Sequence, residues 1–100
     1  MTEKELFIAK IAELLIGLGA EQQGGEFVLK TNVGRLILRV EPNKGEGLGT
    51  VVGHFDDRAA AKERVPCSPF DGTWLNHYFA GWTVEAALSH FLSELRMVLP

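Results

Sequence analysis

The stretch EFVLKTNVGRLILRVE, residues 26–41, decides the fold of this chain. Apolar and polar side chains alternate on both sides of Asn32-Val33-Gly34, and this period of two is typical of half-buried strands. Two alternating runs around a short Asn/Gly connection predict a β-hairpin. A turn at Pro42-Asn43-Lys44-Gly45 and a third strand from Leu48 to Phe55 follow. Because short turns join all three strands, we expect an antiparallel meander.

Amphipathic helices are predicted at both ends of the chain. Thr2 and Glu5 have the spacing of a capping box for the first helix, and Gly19 is placed to end it in a left-handed conformation. Thr83 is the predicted cap of the last helix, which runs to about Val98. Residues three and four apart form the apolar stripes: Phe7, Ile11, Leu14, Leu15 and Leu18 in the first helix, and Val84, Ala87, Leu88, Phe91, Leu92, Leu95 and Val98 in the last.

The remaining segments complete a single domain over residues 1–100. Residues 20–25 are predicted as a polar loop, Asp56 and Asp57 as caps of a short helix to about Arg64, and residues 73–79 as a fourth strand. The predicted order is therefore α-β-β-β-α-β-α. Both long helices need an apolar surface, and one sheet face can cover both. We therefore expect an α+β fold with a single antiparallel sheet of about four strands and the two long helices on one sheet face.

Strand alternation assigns each side chain of the sheet to one of two faces. The predicted helix-facing side chains are Phe27, Leu29, Leu36, Leu38, Val40, Val51 and Phe55. The opposite side, called the open face, is predicted to hold Val28, Lys30, Arg35, Ile37, Arg39, Glu41, Thr50, Val52 and His54. If Leu75 and Phe79 point to the core, the open face also receives Trp74, Asn76 and Tyr78. An apolar centre among cations and aromatics indicates a contact surface; a solvated sheet with spare β-branched residues is the alternative.

Composition and charge exclude several classes of protein. The chain has 100 residues, 46% hydrophobic and 23% charged, as expected for one globular domain. The net charge is −3, and the mildly basic residues 27–65 between acidic flanks are unlike the basic stripe of a duplex-DNA binder. The longest apolar run, residues 14–18, is too short to span a bilayer. We expect no signal peptide at residues 1–5, and the single cysteine, Cys67, predicts a reducing cytoplasm.

The sequence predicts no cofactor and no catalytic set. The glycines of Gly45-x-Gly-x-Gly49 connect strand to strand, whereas phosphate-binding loops open onto a helix N-terminus. Cys67, His77 and Asn76 have the residue types of a thiol nucleophile with its base and orienter, but no helix N-terminus or adjacent base is predicted beside the thiol. We therefore expect a non-enzymatic protein, with an enzyme using Cys67 and His77 as a lesser alternative.

The sequence also predicts no metal site. His54 and His77 could approach Asp56 and Asp57, but a site needs three or more converging ligands and the aspartates are already explained as helix caps. On the last helix, residues 90 and 94 are a histidine and a glutamate four residues apart, which predicts a surface pair. We therefore expect no metal ligands in this chain.

The segment SPFDGTWLNHY, residues 68–78, is the most distinctive of the chain, and it lies between Phe55-Asp56-Asp57 and Gly81-Trp82-Thr83. The pattern resembles small uncharacterised bacterial proteins of plasmids and phages, in which a Phe-Asp-Asp-x-x-x-Ala run precedes an Asn-Pro-aromatic-Ser-Gly-x-Trp-Asn-His segment. This chain departs from it at Ser68, where the family has asparagine, and at Leu75, which separates tryptophan from asparagine. The resemblance covers about residues 50–85 and implies a mobile-element origin. The alternative is a packed corner, in which Asn76 and His77 bond the preceding loop.

The sequence therefore favours a small cytoplasmic protein-binding module whose partner is another protein or a second copy of itself. Inhibition of a host defence system is one role that a mobile-element protein of this size could have. No membrane partner is expected. The candidate binding residues are Lys30, Arg35, Ile37, Arg39, Val52, His54, Trp74, Asn76 and Tyr78. A single-stranded nucleic-acid binder is the competing interpretation, because aromatics and cations on a sheet can stack bases and neutralise phosphates. In that case Lys30, Arg35, Arg39, Trp74 and Tyr78 would form the contacts.

Overall fold

The computed structural model describes residues 2–42, 45, 47–64 and 81–99. Its helices are α1 (Glu3–Gly17), α2 (Arg58–Arg64) and α3 (Val84–Leu95), and its strands are β1 (Glu21–Gln23), β2 (Glu26–Thr31), β3 (Gly34–Pro42) and β4 (Gly49–Phe55). The strands form one antiparallel sheet in the order β1-β2-β3-β4. The predicted α+β fold with a single antiparallel sheet is confirmed.

The central hairpin forms where the alternating stretch predicts it. Thr31 pairs with Gly34, so Asn32-Val33 is the two-residue connection between β2 and β3. β4 pairs with β3 along its whole length, and burial alternates strictly between buried and half-buried side chains along β4. Each of these strands therefore has one buried and one more accessible face, as the period of two requires.

The turn at Asn32 is tied to the C-terminal part of the chain. The backbone N–H of Asn32 donates to the carbonyl of Val98 at 2.9 Å, and Asn32 Nδ2 donates to the carbonyl of Leu99 at 3.0 Å. Arg64 Nη1 in turn donates to the Asn32 carbonyl at 3.0 Å. These bonds connect the hairpin turn both to the end of α2 and to the segment after α3.

The polar loop predicted at residues 20–25 is wrong, because Glu21–Gln23 forms an edge strand paired with β2. All of β1 is exposed, so the strand has no apolar alternation that a sequence pattern could detect. Gly24-Gly25 makes the connection to β2, with Gly24 at a φ of +62°. Glycine pairs of this kind are typical of tight hairpins. The turn, rather than hydrophobic burial, therefore defines this strand.

The described elements run in the order α-β-β-β-β-α-α, which differs from the predicted α-β-β-β-α-β-α because of β1. The predicted strand at residues 73–79 and the distinctive segment 68–78 lie outside the described residues. Within the described part of the chain, the sheet reaches four strands through β1 instead.

Helix boundaries follow the predicted caps. At the starts of α1 and α3, the hydroxyls of Thr2 and Thr83 accept hydrogen bonds from the amide three residues further on, at 3.2 and 3.1 Å. Asp57 Oδ1 accepts the equivalent bond at the start of α2, at 3.0 Å. Each bond satisfies an amide that the first turn leaves without a backbone partner. Beyond the end of α1, Gly19 adopts a φ of +96°, as the predicted left-handed ending requires.

One hydrophobic cluster joins the sheet to all three described helices. The core face contributes Phe27, Leu29, Leu36, Leu38, Val51 and Phe55, and the helices contribute Phe7, Ile11, Leu15, Ala61, Val84, Ala87, Phe91 and Leu95. Val40, also predicted on this face, packs against the cluster half-buried. Because α1 and α3 both bury their stripes in this cluster, the prediction that the two long helices share one sheet face is confirmed.

Gly49 allows α1 to lie close to the sheet. A Cβ atom at this position would lie 2.8 Å from the carbonyl oxygen of Glu41 and 2.9 Å from Cε2 of Phe7. Both distances are shorter than van der Waals contact, and Phe7 is fully buried. A side chain at residue 49 would therefore separate the start of β4 from α1.

Candidate functional site

The open face lies on the side of the sheet away from the three described helices. Those helices bury their apolar side chains in the cluster on the core face, and alternation turns the other strand residues to the opposite side. The structure places all nine predicted side chains of β2, β3 and β4 there. The exposed ones are Lys30, Arg35, Arg39 and Glu41, and the half-buried ones are Val28, Ile37, Thr50, Val52 and His54.

A mainly apolar row crosses the middle of the open face. Val28 pairs directly with Ile37, and Ile37 pairs with His54 on the next strand. Val52 lies two residues before His54 on β4, so it is diagonal to Ile37 on the same face. Directly paired side chains have Cβ atoms roughly 4.5–5.5 Å apart, which is close enough for these to pack together. The apolar centre is therefore continuous across three strands.

Two cations lie directly opposite each other beside this row. Lys30 pairs with Arg35 across β2 and β3, and both are exposed. Neither side chain forms an ion pair with a described residue. Like charges directly opposite in a sheet are destabilising. Within the part of the chain that the structure describes, this pair therefore does not stabilise the fold by electrostatic attraction.

Acidic residues lie toward the other end of the strands. Arg39 Nε and Glu41 Oε1 form an ion pair of 2.8 Å, with side chains 49% and 53% exposed. At this exposure the pair contributes little to stability, but it balances the charge of Arg39. Glu26 is exposed at the start of β2, on the same face as Val28. The open face is therefore cationic at the end near the β2–β3 turn and acidic at the other.

Sequence reasoning missed three residues of this face. Glu21 pairs with Val28 and Gln23 pairs with Glu26, so all of them share the open face. Glu26 follows from the alternation of β2 itself, which is the signal that could have identified it. Glu21 and Gln23 depend on β1, and only the Gly24-Gly25 connection indicates that strand.

Several predicted residues lie outside the described part of the chain. Trp74, Asn76 and Tyr78 belong to residues 65–80, and so do Cys67 and His77. Their membership of the open face and the thiol chemistry considered for Cys67 remain predictions. The described candidate binding residues are therefore the six on β2, β3 and β4.

A shallow groove adjoins the cationic end of the open face. The first residue of β1, Glu21, pairs with Val28, whereas β2 continues to Thr31, so the last residues of β2 have no described strand on that side. The groove there has a volume of about 520 Å³ and is lined by Leu18, Lys30 and Arg35, among others. This groove therefore borders the edge of β2 next to the two cations.

A second cleft, of about 720 Å³, lies at the opposite end of α1, between its first turn, the glycine-rich β3–β4 connection and Trp82. Lys4 Nζ donates to the carbonyl of Gly45 at 2.6 Å and ties this connection to α1. The connection leads from strand to strand, as predicted, and not into a helix. Its glycines therefore do not open directly onto a following helix, as those of phosphate-binding loops do.

The histidine on α3 belongs to a local polar contact. His90 Nε2 lies 2.6 Å from Glu94 Oε1, one turn further on, and this is the predicted surface pair. The ring of Trp82 meets the His90 ring edge to face, with centroids 5.2 Å apart. Among the described residues, no three histidine, cysteine, aspartate or glutamate side chains converge as a metal site would require.

Comparisons with protein-family models, with curated proteins and with solved structures find nothing that matches this chain. Within the described residues, no helix is long and apolar enough to cross a membrane. The geometry of the open face is therefore the basis for a functional interpretation.

Proposed function

We propose that this chain is a small non-enzymatic protein-binding module that acts through its open face. The observation that carries the proposal is the arrangement on that face. Val28, Ile37 and Val52 form an apolar centre, and exposed charged residues surround it. An apolar centre with a polar rim is the usual organisation of a protein–protein interface. The partner is another protein or a second copy of this chain.

Charge balance favours a protein partner over a nucleic acid. Binding to phosphates needs an excess of cations along the path of the backbone. On the open face, Lys30 and Arg35 are accompanied by the exposed carboxylates of Glu21 and Glu26, and Arg39 is paired with Glu41. The surface as a whole is therefore balanced in charge, and a phosphate chain crossing it would meet repulsion as well as attraction.

The cellular setting of the proposal follows from the sequence. A lone cysteine supports a reducing cytoplasm, and the resemblance of residues 50–85 to proteins of plasmids and phages supports a mobile-element origin. A module of this kind acts by occupying a surface of its partner, for which about 100 residues suffice.

Site-specific photo-crosslinking tests the proposal. A photoreactive residue replaces Val28 on the open face or, as the control, Ile16 on α1, which is 50% exposed and lies off the sheet. Proteins that crosslink in cells to residue 28 and not to residue 16 are identified and purified. Their affinity for the chain is then measured by titration. We expect Ile37→Glu to weaken that binding more than tenfold and Ile16→Glu to leave it within about twofold.

Two results would overturn the proposal. In the first, crosslinking from residues 28 and 16 yields the same proteins, or Ile37→Glu leaves the affinity unchanged. In the second, a single-stranded oligonucleotide at micromolar concentration quenches the tryptophan fluorescence of the chain. Its binding weakens steeply with added salt, and the Lys30→Glu chain binds it less tightly than the wild type does. The second result would establish the nucleic-acid interpretation instead.

A further inference from the structure

We draw no further inference here: the strongest candidate, the groove that Leu18, Lys30 and Arg35 line at the edge of β2, borders the open face already described, and nothing in the described part of the chain shows what would occupy it.

Discussion

The two faces of the sheet use the same strands and carry opposite kinds of residue. Leu36 and Leu38 on β3 are fully buried under the helices, whereas Arg35 is exposed and Ile37 is half-buried on the other side. Since these four residues are consecutive in one strand, local strand propensity cannot explain the difference. Packing against the helices determines the core face. On the open face, by contrast, Lys30 and Arg35 lie directly opposite each other, and this pairing of like charges does not stabilise the fold.

The largest effect is expected on the core face. Leu95 on α3 is fully buried in the common cluster, so Leu95→Ala removes apolar contacts and leaves a cavity. We expect the free energy of unfolding to fall by about 2–5 kcal/mol in a urea titration. A loss below about 0.5 kcal/mol would mean that this side of α3 does not pack in the core.

A smaller effect is expected where the core face meets α1 most closely. Gly49→Ala places a Cβ 2.8 Å from the Glu41 carbonyl oxygen and 2.9 Å from the Phe7 ring, so the strand or the helix must shift. We expect a destabilisation of about 1–3 kcal/mol in the same titration. The matched control is Gly45→Ala in the same connection, where a Cβ meets nothing within 4 Å. Equal effects at residues 49 and 45 would contradict the close approach.

The smallest effect has the opposite sign and lies on the open face. Lys30→Gln removes one member of the directly opposed cation pair with Arg35. We expect the isolated monomer to become more stable by a few tenths of a kcal/mol at low salt, and this gain to shrink as salt screens the repulsion. Thermal melting at two salt concentrations measures it. A clear loss of stability would show that Lys30 contributes to the fold and not to a contact.

The elements with a periodic apolar pattern could be predicted from the sequence. α1, α3 and the strands β2, β3 and β4 each bury one stripe or one face, and burial imposes the period that the sequence shows. β1 could not be predicted in this way, because Glu21, Gln22 and Gln23 are all exposed and backbone pairing alone holds them in the sheet. The Gly24-Gly25 turn was the available signal.

The residues of the open face could be predicted wherever the strand that carries them could be predicted. Alternation places Lys30, Arg35 and Ile37 on one side once the core side is identified. The charge gradient along β2 depends on Glu26, which the alternation of β2 places on the same side as Val28. The partner leaves no periodic pattern in this chain, because an interface depends on the complementary surface of a second molecule.

The most direct test of the contact surface is a single substitution on β3, measured by sedimentation equilibrium. Ile37→Glu introduces a carboxylate at the centre of the open face, and Leu38 next to it remains buried in the core. We predict that the wild-type chain shows a concentration-dependent increase in mass up to 1 mM. The Ile37→Glu chain should remain monomeric and keep a native far-UV spectrum. An unfolded Ile37→Glu chain, or one that self-associates as strongly as an associating wild type, would contradict the assignment of this face as a contact surface.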